Sequence, residues 1–479
     1  MKGGRKHLDP TRRAFCAGLA GIGAAGIVGC RHNTLPSSAG AASGKRPNFL
    51  MIFVDDLNAS LVCFGNSNVR TPNIDALAAR GVSFQRAYCQ YPVCNPSRTS
   101  ILSGLRPART GVMSNSSHVV PEHNDPPLLP RFLKEQGYFS GRVGKVFHES
   151  RRMLENKPMH STDDPGGWDI SEDEPSVEEP DESAAGSEEL KGEEEPAQKI
   201  VKLDVGDEKT GDGFVARRAV QLMQEKLTKD RPFFLAVGFR KPHLPWAAPR
   251  KYFDLYAADR IQPPSAPVEH LRSLLPAAVN KSAEQAVSVQ QAREYIAAYY
   301  ACVSFMDAQV GVVLRGLEKI KRAQNTLVIF MGDHGFALGE HGLWGKSTLF
   351  EASVRTPLIL AGPGVNRGAC AHTVELLDVY PTIVDVCGLP KAERLQGVSL
   401  RPLLENPDAQ WDRPARSSLR HDRVLGKSVR SERYRYTEWN GGKDGVELYD
   451  YENDPGELRN LAGEAAASEI VAKLKGLLK

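Results

Sequence analysis

Two distant stretches of this chain run apolar without a break and then stop on acid. Asn48-Phe-Leu-Met-Ile-Phe-Val54 is followed by Asp55-Asp56, and Thr326-Leu-Val-Ile-Phe-Met331 by Gly332-Asp333-His334. A strand with one wet face alternates polar and apolar residues. An unbroken run fits a strand covered on both faces, the habit of parallel sheets. Residues 233–237 and 358–360 read the same way, and helical periodicity lies between the runs at 74–80, 214–227, 292–321 and 376–386. Strands alternating with helices predict an α/β/α sandwich with a mostly parallel central sheet.

The two ends of the chain have other textures. Residues 1–30 carry Arg12-Arg13, then a short apolar run to Val28 and Cys30. That run is too short to span a bilayer, which takes ~20 residues. A basic stretch before a short apolar one is an export signal, here of twin-arginine type. Ile27-Val-Gly-Cys30 reads as a lipid-attachment box, and a plain cleaved signal with an incidental cysteine is the competing reading. Residues 31–46 are rich in Ser, Ala and Gly and form a flexible tether. The expected localisation is the periplasmic side of the membrane, tethered at Cys30. No later segment is read as membrane-spanning. Residues 47–404 form the catalytic domain, with an acidic, disordered insertion at about 163–197. Residues 405–479 read as a small α+β subdomain with an antiparallel sheet around Gly441-Gly442. Lys and Arg number 61 against 58 Asp and Glu, so no basic excess suggests nucleic-acid binding.

In open α/β sheets, ligands bind beyond the carboxyl ends of the strands. The acidic residues after the two longest runs therefore converge on one place. Asp55, Asp56 and Asp333 together suit a hard divalent ion; His334 is the odd member of such a set. Cys94 precedes Pro96, a residue at home in a first helical turn. The cysteine is therefore expected just before a helix N-terminus, where backbone N–H groups attract anions. Arg98 follows one turn later. The spacing of four from Cys94 to Arg98, with proline between, is not that of a thiolate phosphatase.

Cys94-x-Pro96-Ser97-Arg98, followed by Thr-Ser-Ile-Leu-Ser-Gly104, resembles the signature of the type I sulfatases. Thr71-Pro-Asn-Ile-Asp75, Gly144-Lys-Val-Phe-His148, Lys241-Pro-His243 and the run from Gly332 to Lys346 extend the likeness. Within that family the motifs are most similar to iduronate 2-sulfatase and its bacterial relatives, which also carry Asp-His at the position of Asp333-His334. The resemblance implies an alkaline phosphatase-like fold and hydrolysis of sulfate monoesters, in this subgroup those of sulfated sugars. It implies that Cys94 becomes Cα-formylglycine, made by a formylglycine-generating enzyme. One Ca²⁺ would sit on Asp55, Asp56, Asp333 and His334 and touch residue 94. Arg98 would orient the formylglycine oxygen, and Lys145 and Lys346 would neutralise sulfate oxygens. His148 would take the proton that triggers sulfate release, and His243 would protonate the leaving oxygen. Two other readings remain open: a phosphodiesterase or phosphonate-ester hydrolase of the same superfamily, and a sulfated-glycan-binding protein with an unmodified Cys94.

Overall fold

The computed structural model describes residues 46–117, 127–148, 164–174, 199–227, 231–279, 287–390, 393–421 and 423–478. The signal region at 1–30 and all of the 31–46 tether but Arg46 lie outside the described residues, as does 175–198 of the acidic insertion.

Eight strands make the central sheet: β1 (Asn48–Val54), β2 (Val82–Tyr88), β3 (Phe139–Gly144), β4 (Ile170–Glu172), β5 (Phe233–Phe239), β6 (Thr326–Gly332), β7 (Leu358–Ala361) and β8 (Gly368–Glu375). Their order is β8-β2-β7-β6-β1-β5-β3-β4. All adjacent pairs are parallel except the two that β7 makes. Every residue of β1, β5 and β6 is buried, as unbroken apolar runs require.

Side-chain alternation sends Leu50, Ile52 and Val54 to one face and Phe49, Met51 and Phe53 to the other. The first face packs on α3 (Gly211–Lys226) and α4 (Val289–Lys319), through Val215, Ala219, Val303 and Val310. The second packs on α2 (Cys94–Ser103) and α5 (Val379–Val386), through Ile101, Leu102 and Ile383. The α/β/α sandwich is therefore as expected. The helix α4 departs from one expectation: it is long and apolar enough to cross a membrane. Its most apolar window is nevertheless 89% buried inside the protein, so its hydrophobicity serves the core.

Strands β9 (Ala415–His421), β10 (Val424–Arg430), β11 (Tyr434–Trp439) and β12 (Val446–Asp450) form the expected antiparallel sheet. Helix α6 (Ser468–Gly476) covers one face of it through Leu474, against Val429, Tyr436 and Leu448. Residues of its other face, among them Leu419 and Trp439, join the main core cluster. Residues 45–479 thus form one compact unit, and the C-terminal part is a layer of it.

Part of the stretch that composition marks as a disordered acidic insertion is ordered. Residues 164–174 are folded, with β4 pairing along β3 at the sheet edge. Trp168 stacks on Phe234, and the acids are matched by distant bases: Asp164 with Arg131, Glu172 with Arg218, Asp173 with Arg142 and Glu174 with Arg240. Composition counts charges but is blind to partners far away in sequence. The six described cysteines from Cys63 to Cys387 are free thiols.

Candidate active site

The register of four adjacent strands builds the site. Val54 of β1 lies opposite Gly332 of β6 and Phe239 of β5, and Gly144 of β3 lies opposite Gly238 of β5. The residues that follow these strands therefore emerge side by side: Asp333-His334, Asp55-Asp56, the Arg240–His243 segment, and Lys145. Gly144 makes the last turn possible. It has φ +73°, and a Cβ there would lie 2.3 Å from the Gly238 carbonyl oxygen.

Helix α2 brings Cys94 over these strand ends. All ten of its residues are buried, and it is clasped to the sheet by its own side chains. Ser97 Oγ donates to the Asp333 carbonyl. The Arg98 guanidinium donates to Asp333 Oδ2 at 2.8 Å, to Asp55 Oδ1 at 3.2 Å, and to the carbonyls of Lys145 and Val146. Arg98 thus ties the helix to three strand ends at once. Its link to residue 94 is electrostatic.

Around the Cys94 sulfur stand Lys346 Nζ at 3.1 Å, His334 Nε2 at 3.4 Å and Asp56 Oδ1 at 3.8 Å. Lys346 also donates to Asp56 Oδ1 at 2.5 Å, and Lys145 bonds Asp55 Oδ2. Burial raises the Cys94 thiol well above its ordinary pKa, with Asp55 adding to it against the pull of Lys346 and Lys145. A bare thiolate is therefore disfavoured here, as the Cys-to-Arg spacing implied. Burial alone would raise Asp55 and Asp56, but the flanking cations outweigh it and keep both acidic.

The donor chemistry fits a divalent ion. Ligand atoms of Asp55, Cys94, Asp333 and His334 all lie within 4.8 Å of one another, as do those of Asp55, Asp56, Cys94 and His243. His334 Nδ1 sits 2.9 Å from the Gly335 carbonyl, so that nitrogen carries the proton and Nε2 offers its lone pair to the cluster. Asp333 Oδ1 accepts from the Asp56 and His334 amides, which fixes its orientation.

The two remaining histidines lie at the edge of this cluster. His243 Nε2 is 3.9 Å from Asp56 Oδ2, and its Nδ1 faces the Leu244 carbonyl at 2.5 Å. Burial lowers its pKa, and Asp56 and Asp55 pull the other way. Burial and the Lys145 charge push His148 down to about 3, so its ring is neutral.

Sequence reasoning did not find Tyr299 or Asp212. The Tyr299 hydroxyl on α4 donates to the Asp56 carbonyl and accepts from the Asn58 amide, both at 2.9 Å. It holds Asp56 in a left-handed turn with φ +56°, which a non-glycine residue rarely adopts unaided. Asp212 holds the backbone of Arg240 and Lys241.

A helix-start thiol amid carboxylates, lysines and histidines, at the carboxyl edge of a parallel sheet, defines a hydrolase of anionic esters. The family profile described as "Sulfatase" matches residues 47–389, and one described as "N-sulphoglucosamine sulphohydrolase, C-terminal" matches 339–479. The chain is 33% identical to a sulfatase of Formosa agariphila, over 90% of this chain and 86% of that one. It is 32% identical to iduronate 2-sulfatase of Mus musculus, over 89% and 93%. Among solved structures, a 2-O GAG sulfatase superposes with TM-score 0.69 at 26% identity, covering 90% and 91%. The chain belongs to the sulfatase family and is a sulfuric ester hydrolase. The expected alkaline phosphatase-like architecture follows from the same likeness.

Proposed function

We propose that this sulfatase removes sulfate from sulfated sugars, with 2-O-sulfated uronic acid residues as its substrate class. Its likeness to iduronate 2-sulfatase and to a 2-O GAG sulfatase supports that class. The observation that carries the chemistry is the seating of residue 94 at a helix start, 3.1 Å from Lys346 and 3.4 Å from His334, above the Asp55–Asp56–Asp333 cluster.

Converted to hydrated formylglycine by a formylglycine-generating enzyme, residue 94 supplies one hydroxyl to attack sulfur and a second whose deprotonation expels sulfate. Asp55, Asp56, Asp333 and His334 would hold a Ca²⁺, which would supply positive charge to the substrate anion. The rest is done by side chains. Lys346 and Lys145 stand where the non-bridging oxygens gather charge. As the ester S–O bond breaks, His243 gives the Nε2 proton of its imidazolium form to the departing alcohol oxygen. The incoming anion favours that form. His148, neutral at working pH, accepts the proton of the second step. Arg98 keeps Asp55, Asp333 and α2 in register beneath residue 94.

Mass analysis of the Cys94 peptide, with rates on a panel of defined sulfated sugars and on phosphate and phosphonate esters, tests this reading. An unmodified thiol in active protein, or faster phosphonate cleavage, would overturn it. Export through the twin-arginine machinery and lipid attachment at Cys30 complete the proposal. Arg12-Arg13 and Ile27-Val-Gly-Cys30 support them. Cys30→Ser should release the enzyme from membranes; native protein wholly in the soluble fraction with an unlipidated N-terminus would remove the anchor.

A further inference from the structure

His243 rides on a short strap, Arg240–Pro245, that leaves the end of β5. A flexible strap could not hold an imidazole nitrogen within reach of a leaving oxygen, so what fixes it matters. Asp212, in the first turn of α3, lies behind it. Asp212 Oδ1 accepts from the Arg240 amide at 2.8 Å and Oδ2 from the Lys241 amide at 2.9 Å. Both oxygens of one carboxylate are thus given to two consecutive backbone N–H groups of the strap.

That use is not the ordinary one for an acid at this position. Acids in a first helical turn usually serve their own helix. Here Thr210 already does so, its Oγ1 accepting from the Gly213 amide at 3.1 Å. Asp212 is 3% exposed, and burial together with Glu174 pushes its pKa up to about 6. A residue kept ionisable at such a desolvation cost, with no work left to do in its helix, is placed for the strap.

Two further contacts close the clamp. Lys241 Nζ turns back along the strap and donates to the carbonyls of His243 at 3.0 Å and Pro245 at 2.6 Å. Glu174 takes Arg240 Nε at 2.6 Å. The His243 amide donates to the Arg240 carbonyl at 2.9 Å, so the histidine hangs directly from the residue Asp212 grips. The ring is then set by the Leu244 carbonyl, which takes Nδ1 and leaves Nε2 facing Asp56.

We infer that Asp212 is a positioning residue for the proton donor: by gripping the Arg240 and Lys241 amides it holds His243 Nε2 where the leaving oxygen departs. This rests on the acid role given to His243. The proton moves from Nε2 to the alcohol oxygen while the S–O bond breaks, so only substrates that need that proton sense the clamp.

The test is a double-mutant cycle on the full chain. Asp212→Ala should lower kcat about 10- to 100-fold on a sugar sulfate, with KM nearly unchanged, and less than about threefold on nitrophenyl sulfate. Asp212→Asn keeps one acceptor and the shape, and should recover much of the loss. In a His243→Ala background Asp212→Ala should cost almost nothing more. Equal losses on the two substrates, or full additivity with His243→Ala, would overturn the assignment. If Asp212→Ala does not fold, the smaller loss of Asp212→Asn must still fall on the sugar sulfate rather than on nitrophenyl sulfate, and an equal loss on both would overturn the assignment. His243→Ala measured alone separates the two readings: equal loss on both substrates there sinks the acid role itself.

Discussion

Lys346 is the group whose removal the geometry prices most directly. Its Nζ lies 3.1 Å from the sulfur of residue 94, so a sulfate bound there comes within contact of the ammonium. Unit charges ~4 Å apart interact by about 4 kcal/mol at an effective dielectric of ~20. The bound ester already carries one negative charge, so part of that attraction is present in the ground state and appears in KM. The remainder follows the charge that builds on sulfate oxygens, and removing one such donor costs about 10²–10³ in kcat. Burial lowers the lysine, but Asp56 and its neighbours outweigh that and raise it well above its ordinary pKa, so it stays charged across neutral pH. Lys346→Ala should therefore lose 10²–10³-fold in kcat on nitrophenyl sulfate, with a smaller rise in KM. The aldehyde content at position 94 must be measured in the same protein, because poor conversion would imitate the loss. A fall of less than threefold, with conversion intact, would show that Lys346 only neutralises Asp56.

Cys94→Ala should abolish hydrolysis and leave the melting temperature within a few degrees, since the small side chain sits at a helix start rather than in the apolar core; residual full activity would refute a residue-94 nucleophile. Asp333→Ala should abolish metal binding and cost Arg98 its 2.8 Å carboxylate partner, leaving it Asp55 and two carbonyls; elemental analysis with a melting curve reads both, and wild-type metal content would refute the ligand assignment. Glu351 should control acid stability. Burial would raise its pKa, but Arg430, Arg435 and Arg355 pull it down to about 2 from an ordinary value of 4.5. Its contribution of roughly 3 kcal/mol is thus present above pH ~4.5 and fades as pH falls toward 2. Glu351→Gln should lower stability at pH 7 and flatten its decline toward pH 3 in urea titrations; an unchanged pH profile would refute it.

What the sequence showed clearly was whatever is buried on both faces. β1 and β6 read correctly from their unbroken apolar runs, and the acids behind them marked the site. β3 was not legible. Its Phe-Ser-Gly-Arg-Val-Gly carries Arg142, whose buried guanidinium donates to Asp173 and to the Gly144 carbonyl. β4 hid inside an acidic run for a related reason, since Glu172 within it and Glu174 just after it are paired by Arg218 and Arg240 from elsewhere in the chain. In the site, residues that belong to fixed motifs could be found through the family resemblance those motifs carry. Asp212 and Tyr299 could not, because they act on backbone amides and carbonyls, and a partner that any residue can supply leaves no pattern in side-chain identity.

The charge balance explains why so many strands must converge. Asp55, Asp56 and Asp333 face Lys145, Lys346 and Arg98, so carboxylates and fixed cations cancel one another in the buried cluster. A neutral cluster can be buried, because each charge has a partner, whereas three unpaired acids could not. It is also a poor receptor for an anion. A divalent ion on the carboxylates would shift the sum to plus two beside residue 94. The two lysines differ in how they share this task with the carboxylates. Lys145 is almost wholly buried against Asp55, while Lys346 is 20% exposed and reaches both Asp56 and residue 94. Lys346 is thus the cation able to follow charge as it moves from ester to sulfate, and Lys145 the one that sets the field beneath it.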